Sequence, residues 1–576
     1  MGPLPDGGGS KTVRIDAETA HRIASKNNIK IPEHEVEDYV AMMRAAVNTA
    51  ERVEALPDFL DSRLAPTPTW DDTRTYEKAE RNDLNAWSHQ TALAAKCVIS
   101  KPMLSGREVV LKDNISLAGV PFTCGTFPEL VYPDGQYPIS PIDATVVKRL
   151  LSHGATITGT STCENYCMST MSYSSANGPV HNPWLRGYAA GGSTSGAASL
   201  LGLRLARQAG VPGLECAGDD VDMAVGADQG GSIRIPSSYC GVYGLKPTHG
   251  LVPYTGIVGT HPMIDHVGPM ALDLEDIALL LQVMAGYDGM DGRMGPEAPL
   301  RADVFPYYDE LVCFTSRDTN NLKKKPLRVG IIRESLATPC ASTEVASVVR
   351  DAAYQHFTAA GAIVTEVSVP LHSLGLDIWT ASCRPHFADL AIGARVPDML
   401  AYQPPQWAPR WPPDQRMFDL MTVSSPAVLH VIFGQTLLND RFGSGAQAKA
   451  HRHVFELSKA YDDVLEEGGF DVLVTPTAPT VAPPHPDMRP VNQGGSTVLE
   501  KANLVANTTR NVAPLNASGH PALSVPCGWA YAADGSSKLP VGMQLIGRRW
   551  DDIGVIKAAR VFENGGGGLG SRDRLC

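Results

Sequence analysis

Two glycine-rich segments that each carry a serine constrain this chain more than any other feature. The first reads AAGGSTSGAAS over 189–199, and the second reads VGADQGGSIRIPSSYCG over 225–241. Glycine adopts backbone dihedral angles that other residues avoid and lets the backbone approach a neighbour closely. A serine directly after a glycine pair can therefore sit on a tight turn, with adjacent N–H groups converging on one point. Both segments predict turns that present a serine hydroxyl.

A lysine upstream supplies a candidate base. Lys112 lies in VVLKDNISLAG and directly follows the apolar run Val109-Val110-Leu111, which predicts that it leaves the end of a buried strand. A lysine amine accepts a proton only when it is neutral, and burial favours the neutral form. A serine hydroxyl is a poor nucleophile until a base takes its proton. The lysine and the two serine loops together indicate a serine hydrolase that needs no histidine.

Six motifs in a fixed order carry a resemblance to a known family. They are LKDN, GGSTSG, GADQGGSIRIP, GLKPTHGLVPYTG, NASGHPALSVPCG and PVGMQLIG. On these motifs the chain resembles the amidase signature family, and within it the amidases with an N-terminal helical segment, over roughly Lys112 to Phe562. The resemblance implies an α/β fold in which helices cover a mixed central β-sheet, preceded by an α-helical segment.

The resemblance also implies roles for matching residues. It gives Ser232 the nucleophile's place, Ser193 that of a bridging serine and Lys112 that of the base. The oxyanion hole falls on consecutive residues of the second loop, namely Gln229, Gly230, Gly231 and Ser232. Asp228 and Arg234 flank the nucleophile, and we expect them to brace the loop through an ion pair.

Candidates for the substrate pocket are less specific. Cys163 and Cys167 have C-x₃-C spacing, which is not a zinc spacing; helix packing is the expectation, with Cys163 a candidate for the pocket. Trp379 and Trp407 lie where the family varies and fit either an acyl pocket or the core. Thr194 is the remaining candidate. Arg234 is expected to pair with Asp228, and no cluster of basic residues is evident near the motifs to bind a carboxylate. The sequence therefore predicts a substrate with a neutral, apolar acyl group.

Several alternatives stay open. His249, His261 and His266 follow the nucleophile strand and would allow a serine–histidine pair, although the resemblance favours structural roles for them. The predicted function is an amidase that hydrolyses neutral amides to an acid and ammonia or an amine through an acyl-enzyme. A carbamate or ester hydrolase could use the same residues. The weaker candidates are an inactive binding homologue and a glutamine-hydrolysing amidotransferase subunit.

Composition excludes other classes of protein. The net charge is −12 without a basic block, which argues against nucleic acid as a partner. No apolar run approaches the ~20 residues that span a bilayer, and the start lacks a secretory signal. Eleven cysteines without a pattern indicate reduced thiols in the cytoplasm. We expect a cytoplasmic enzyme with a small-molecule amide substrate, no membrane partner, and no metal or other cofactor.

The predicted domains follow these patterns. Residues 1–16 form a disordered leader, 17–90 an amphipathic helical segment, 91–564 the catalytic domain and 565–576 a disordered tail. The helical segment resembles one that pairs subunits in related amidases, which predicts a homodimer. Ser193 and Ser232 are further apart in sequence than is usual in the family. The excess falls on 203–217, predicted to be an exposed loop; a true lid and a gene-model error both remain open.

Overall fold

The computed structural model describes residues 15–132, 134–317 and 325–569, with side chains up to 314 in the second range. The predicted leader therefore lies outside the described residues apart from 15 and 16, and the predicted tail apart from 565–569. Contacts between residues divide the chain into two compact units, and the boundary in sequence falls between Ser62 and Arg63.

The first unit contains two helices, α1 (Ala17–Lys26) and α2 (Val36–Glu54). The Asp16 side chain accepts a hydrogen bond from the Thr19 N–H at 3.0 Å and so caps α1, as a short carboxylate does at many helix starts. The apolar sides of the helices share a small core, made of Ala20, Ala24, Ile31, Val36 and Val40. Each helix is thus amphipathic.

The second unit is built on thirteen described strands. They are β1 (Trp87–Ala94), β2 (Glu108–Lys112), β3 (Thr156–Ser161), β4 (His181–Asn182), β5 (Leu185–Ala189), β6 (Met223–Asp228), β7 (Tyr243–Lys246), β8 (His266–Ala271), β9 (Arg328–Ile332), β10 (Ile363–Val367), β11 (Val472–Pro476), β12 (Ala522–Tyr531) and β13 (Lys538–Ile546). Eleven of them form one sheet, in the order β1-β3-β2-β6-β8-β7-β12-β13-β11-β9-β10, and β4 pairs with β5.

The large sheet is mixed. Strand β2 runs parallel to β3 and β6, and β9 runs parallel to β10 and β11. The strands between these groups pair antiparallel. Strands β6, β7 and β8 are buried along their whole length, as expected for strands covered on both faces. The predicted fold class is confirmed.

Fourteen further described helices accompany the sheet. They are α3 (Pro128–Val131), α4 (Thr145–Ser152), α5 (Ser195–Gln208), α6 (Arg234–Cys240), α7 (Leu274–Met284), α8 (Tyr307–Arg317), α9 (Arg333–Leu336), α10 (Thr343–Ala352), α11 (Gly375–Ala391), α12 (Gln415–Ser424), α13 (Pro426–Glu466), α14 (Val498–Ala506), α15 (Ala513–Ser518) and α16 (Asp552–Asn564). Helices α11 and α13 pack against each other and contribute to an apolar cluster separate from the main core. None of the helices in the described ranges is both long and apolar enough to cross a bilayer.

The boundary between the two units differs from the predicted one. Strand β1 begins at Trp87, inside the segment predicted to be helical, and residues from Arg63 onward belong to the sheet unit. A buried ion pair explains part of this placement, because Arg74 donates to Asp143 at 2.8 Å and so ties the stretch before β1 to the loop before α4. The helical periodicity ends at α2.

The prediction of a loop over 203–217 is wrong for its first part. Helix α5 continues to Gln208, with Leu203 and Ala206 fully buried, because this stretch still offers an apolar face to the core. Gly210, at φ +72°, ends the helix shortly afterwards. A loop over 209–222 follows, and Arg204 holds it through Asp220 at 2.7 Å and Asp222 at 2.6 Å.

Candidate active site

Lys112 ends strand β2 inside the protein. The preceding residues Val109, Val110 and Leu111 are fully buried between β3 and β6, and the Lys112 side chain is fully buried as well. Its Nζ lies 2.9 Å from Ser193 Oγ and donates to the Ala227 carbonyl oxygen at 3.2 Å. The end of strand β2 therefore places the lysine amine next to the first serine loop.

The first serine loop connects β5 to α5 and contains a cis peptide bond between Gly192 and Ser193. A Cβ atom on Gly192 would lie 2.6 Å from the Ser169 carbonyl oxygen, so a side chain does not fit there. The Thr194 N–H donates to the Ser232 carbonyl oxygen at 3.2 Å. This bond brings the two serine loops side by side, although they are far apart in sequence.

A buried glutamate supports the first loop. Glu164 Oε2 accepts hydrogen bonds from the Ser174 N–H at 2.8 Å and from its hydroxyl at 2.6 Å, and Oε1 accepts from Ser195 Oγ at 3.0 Å. Burial raises the pKa of Glu164 to about 7, against the effect of these hydrogen bonds. Sequence reasoning missed this residue, because nothing in the sequence connects it to a loop thirty residues away.

The second serine loop joins β6 to α6. Gly231 adopts φ +119°, and a Cβ atom there would lie 2.5 Å from Val512 Cγ2, so this turn requires glycine. Ser232 follows directly and is 6% exposed. The short connection sets its hydroxyl at the sheet edge where β6 ends.

Asp228 and Arg234 form a fully buried ion pair across this loop, with Arg234 Nη2 at 2.9 Å from Asp228 Oδ1. The carboxylate also accepts the N–H groups of Gly231 at 2.7 Å and Ile233 at 3.0 Å. Burial alone would raise the pKa of Asp228, but the Arg234 charge and the hydrogen bonds lower it well below its usual range. Arg234 also reaches Asn516 Oδ1 at 2.6 Å.

The backbone N–H groups of the predicted oxyanion hole differ in whether they are already hydrogen-bonded. The Gly231 N–H is directed at Asp228. The N–H groups of Gly230 and Ser232 make no hydrogen bond to the described residues. Gln229 is held on both sides, since its Nε2 donates to the Tyr254 hydroxyl at 2.7 Å and its carbonyl oxygen accepts from Trp379 Nε1 at 2.9 Å.

A cavity of about 450 Å³ opens at Ser232. Helices α11, α13 and α14 form much of its wall, and most of its lining is apolar or neutral. The lining residues are Cys167, Met168, Ser169, Thr170, Gln229, Gly230, Ser232, Thr260, Leu376, Trp379, Thr380, Arg384, Phe387, Ala427, His430, Val431, Leu499, Ala502, Asn503, Val505, Ala506, Thr509 and Ala513. A volume of this size suits a small organic ligand.

The structure brings one of the four pocket candidates to this cavity. Trp379 lines it. Trp407 instead packs in the core, with its ring edge-on to Phe122 at 5.8 Å and to Tyr166 at 5.9 Å. Thr194 is buried beneath the loop, and its hydroxyl donates to the Ala227 carbonyl oxygen at 3.4 Å. Cys163 is also fully buried and does not line the cavity.

Cys167 reaches the cavity in place of Cys163. Tyr166 and Cys167 both adopt left-handed conformations, with φ of 49° and 57°. Such angles are uncommon for residues with side chains and occur often at functional sites. Cys167 Sγ lies 3.8 Å from Cys124 Sγ, and thiol hydrogen bonds from Cys124 and Cys163 lower the pKa of Cys167. A local sequence pattern cannot reveal this double turn.

The three histidines that follow β6 and the second serine loop in sequence lie elsewhere. His249 and His261 line a second cavity, and His266 directs Nδ1 to the Ile264 carbonyl oxygen at 2.8 Å. Burial lowers the pKa of His249 to about 4 and that of His261 to about 3. None of the three lines the cavity at Ser232. These positions give no support to a serine–histidine pair.

The fold and the site together define an α/β protein with an apolar cavity that ends at a serine behind two glycines. The family model described as Amidase matches residues 76–556, and the chain belongs to this family. It is an amide-hydrolysing enzyme.

Individual relatives agree with the family match. An enantioselective amidase of Rhodococcus rhodochrous is 34% identical over 509 residues, which cover 87% of each chain. One component of the glutamyl-tRNA(Gln) amidotransferase of Deinococcus deserti is 30% identical, over 80% of this chain and 83% of that protein. Among solved structures, the peptide amidase of Stenotrophomonas maltophilia shares the fold, with a TM-score of 0.55 and 24% identity over 80% of this chain and 82% of that one.

Proposed function

We propose that this protein hydrolyses the C–N bond of uncharged amide groups with Ser232 as the nucleophile. The observation that carries the proposal is the contact of 2.9 Å between Lys112 Nζ and Ser193 Oγ, in a loop hydrogen-bonded to Ser232. A buried amine beside a serine hydroxyl is a proton acceptor that does not require histidine. The cavity that opens at Ser232 gives an amide access to the same point.

The proton moves away from the nucleophile in two transfers. Ser232 Oγ attacks the amide carbonyl carbon while its proton passes to Ser193 Oγ, and the Ser193 proton passes to the Lys112 amine. The protonated lysine then returns a proton through Ser193 to the leaving nitrogen, and ammonia or an amine departs. Water attacks the acyl-enzyme by the same route, which releases the acid and restores Ser232.

Backbone N–H groups stabilise the oxyanion that forms in both steps. The N–H groups of Gly230 and Ser232, which bond to none of the described residues, are the candidates, whereas the Gly231 N–H holds the Asp228 carboxylate. Preorganised donors of this kind lower the barrier because they need no rearrangement when charge develops. The buried ion pair between Asp228 and Arg234 braces the loop rather than reacting.

Replacement of Ser232 by Ala tests the nucleophile. We expect the variant to fold, to lose nearly all ammonia release and to escape labelling by a fluorophosphonate, whereas the parent is labelled on the peptide that contains Ser232. Ser347→Ala, which alters an exposed serine on α10, is the matched control and should keep full labelling. Undiminished hydrolysis by Ser232→Ala would refute the assignment.

A substrate panel tests the reaction class. Primary amides should release ammonia, and hydroxylamine should trap the acyl group as a hydroxamate, because a covalent intermediate reacts with a better nucleophile than water. Carbamates and esters present the same carbonyl, and a strong preference for them would move the assignment to that alternative. A preference for glutamine, or activity that needs a second protein chain, would favour the amidotransferase alternative. The similarity to the Deinococcus protein is the reason to include this test.

The first unit supports a proposal of homodimerisation in the cytoplasm. Apolar side chains on α2 and just after it recur at helical spacing and are exposed, with Tyr39 at 41%, Met42 at 66%, Val53 at 65% and Leu56 at 64%. An exposed apolar stripe of this kind is typical of a helix that packs on a partner. The free, closely spaced thiols of Cys124 and Cys167 are consistent with a reducing compartment.

A further inference from the structure

The cavity at Ser232 contains one permanently charged side chain, and nothing described in the structure neutralises it. Arg384, on α11, lines the cavity, and its Nη1 atom is enclosed without a hydrogen-bond partner among the described residues. No carboxylate forms an ion pair with the guanidinium within the described ranges, and its Cζ atom lies 5.8 Å from the centroid of the Phe387 ring, in a cation–π contact. This side chain has no part in the proposed proton transfers.

An unpaired guanidinium is an unfavourable feature of an apolar wall. Enclosing a charge costs free energy unless a counter-charge or hydrogen bonds compensate for it. The effect of burial is visible in the group itself, since it lowers the pKa of Arg384 to about 10. An unpaired charge that destabilises the ligand-free protein can be retained because it serves function. A negatively charged ligand would supply the counter-charge that the protein lacks.

The surroundings exclude a partner from the protein itself. Asp and Glu are absent from the lining, whose other polar groups are neutral alcohols, amides, a thiol and His430. His430 faces the same cavity from α13, and burial followed by the Arg384 charge lowers its pKa, which favours the neutral imidazole beside the guanidinium. The lining of the cavity therefore offers Arg384 no carboxylate.

Arg384 lies on the same helix as a residue that contacts the second serine loop. Trp379, five residues earlier on α11, donates to the backbone of the serine loop at 2.9 Å. Five residues advance a helix by about 7.5 Å along its axis. Arg384 and Ser232 line the same cavity, so one small substrate can reach both side chains.

We propose that Arg384 binds a carboxylate on the substrate, so that this enzyme prefers amides whose far end carries a negative charge. The inference rests on the proposed function of Ser232 and names its substrate class. An arginine fork pairs with both oxygens of a carboxylate, a geometry that an ether or ketone oxygen does not offer. An amino-acid amide such as glutamine fits less well, because its ammonium group would lie beside Arg384 without an acidic partner.

Matched amides test the preference. The three probes are 3-(4-carboxyphenyl)propanamide, its neutral analogue 3-(4-acetylphenyl)propanamide and its cationic analogue 3-(4-aminomethylphenyl)propanamide. We expect kcat/KM for the carboxylate to exceed that of the acetyl analogue by about 10- to 100-fold, the range typical of a hydrogen bond to a charged group. The cationic amide should be the poorest substrate. Equal values for the carboxylate and acetyl amides would overturn the inference.

Variants at Arg384 assign the preference to this side chain. Arg384→Met keeps an unbranched side chain without the charge and should bring the ratio of the two kcat/KM values to about 1, whereas Arg384→Lys should retain part of it. Arg441→Gln removes an exposed arginine on α13 outside the cavity and should leave the ratio unchanged. Retention of the full preference by Arg384→Met would contradict the assignment.

Two further readouts separate this inference from the proposed function. If no probe is hydrolysed, the proposed function fails, and calorimetric measurement of probe binding to Ser232→Ala then tests the inference. Tighter binding of the carboxylate probe than of the acetyl probe, lost in the double variant with Arg384→Met, supports the inference. Equal binding of the two probes overturns it. The melting temperature of ligand-free Arg384→Met should rise, because an unpaired charge is removed. A lower melting temperature with unchanged selectivity would make Arg384 a structural residue.

Discussion

Two buried lysines end strands of the same sheet, and their contacts differ. Lys112 ends β2 with Nζ at 2.9 Å from Ser193 Oγ. Lys246 ends β7, is fully buried and donates to the Pro247 carbonyl oxygen at 2.9 Å. Burial and the Arg234 charge hold the pKa of Lys246 well below its ordinary value. A low pKa alone would nominate Lys246 as the base, whereas geometry nominates Lys112.

Replacement of each lysine by Met distinguishes the two. We expect Lys112→Met to lose activity by about 10²–10⁴-fold in kcat, the usual effect of a lost acid–base group. Lys246→Met should retain activity within about tenfold, since it removes a group outside the proton path and leaves a side chain of similar length. Ammonia release measures both, with circular dichroism as the check on folding. The reverse order of losses would transfer the role to Lys246.

Glu164 predicts a dependence of stability on pH. Its pKa is about 7 in the folded protein, raised by burial from 4.5. Between these values the folded state binds more protons than the unfolded state, so the contribution of Glu164 to stability is complete below pH 4.5 and is lost as the pH rises through 7. The whole loss amounts to about 3 kcal/mol.

The variant Glu164→Gln isolates this contribution, because an amide does not titrate. The free energy of unfolding of the wild type minus that of the variant should fall by up to about 3 kcal/mol between pH 4.5 and pH 8. Urea unfolding at several pH values measures the difference, in which the other titrating groups cancel. A difference that stays constant with pH would show that Glu164 is ionised in the folded protein throughout this range.

Helix α5 illustrates how closely the elements approach one another at the site. Gly196 lies in its first turn, where a Cβ atom would be 2.2 Å from the Ala86 carbonyl oxygen and 2.6 Å from the Thr162 nitrogen. The Gly196 N–H donates to the Thr162 carbonyl oxygen at 2.9 Å. The helix therefore starts directly against the ends of β1 and β3, which is why a glycine follows the serine loop.

Alanine substitutions at two helical glycines test this packing. Gly196→Ala should destabilise the protein by about 3 kcal/mol or more, since its Cβ meets backbone atoms that cannot move independently. Gly445→Ala, in α13, meets no atom within 4 Å and should stabilise by about 0.5–1 kcal/mol through helix propensity. Melting temperatures of the two variants give the comparison. Similar values would contradict the close approach at Gly196.

Assembly is a property of the whole molecule, and the exposed stripe on α2 makes the homodimer testable. Met42→Lys combined with Val53→Lys places two charges on that stripe and should convert the dimer to a monomer. Glu51→Lys changes the net charge equally on the opposite side of the helix and should leave the dimer intact. Light scattering measures the mass of each. An unchanged mass for the double variant would exclude α2 as the interface.

Much of the architecture could be read from local patterns. Apolar periodicity predicts the positions of several elements correctly. They are the buried strand that ends at Lys112, the helix and strand on either side of Gly154, and strands β12 and β13. Glycine pairs before Ser193 and Ser232 predicted turns, and both turns need glycine in the structure. These features depend on neighbours in sequence, so the sequence is sufficient to predict them.

The wall of the cavity depends instead on residues that only folding brings together. Arg384 lies 152 positions after Ser232, and no local pattern marks it; the prediction of a neutral acyl group failed to consider it for that reason. Trp379 and Trp407 are both pocket candidates by sequence, yet Trp407 packs in the core and Trp379 lines the cavity. Amino-acid order alone thus accounts for the sheet and its serine loops, whereas the choice of side chains that face the substrate follows from how α11, α13 and α14 pack, because burial and pairing of charges are long-range properties.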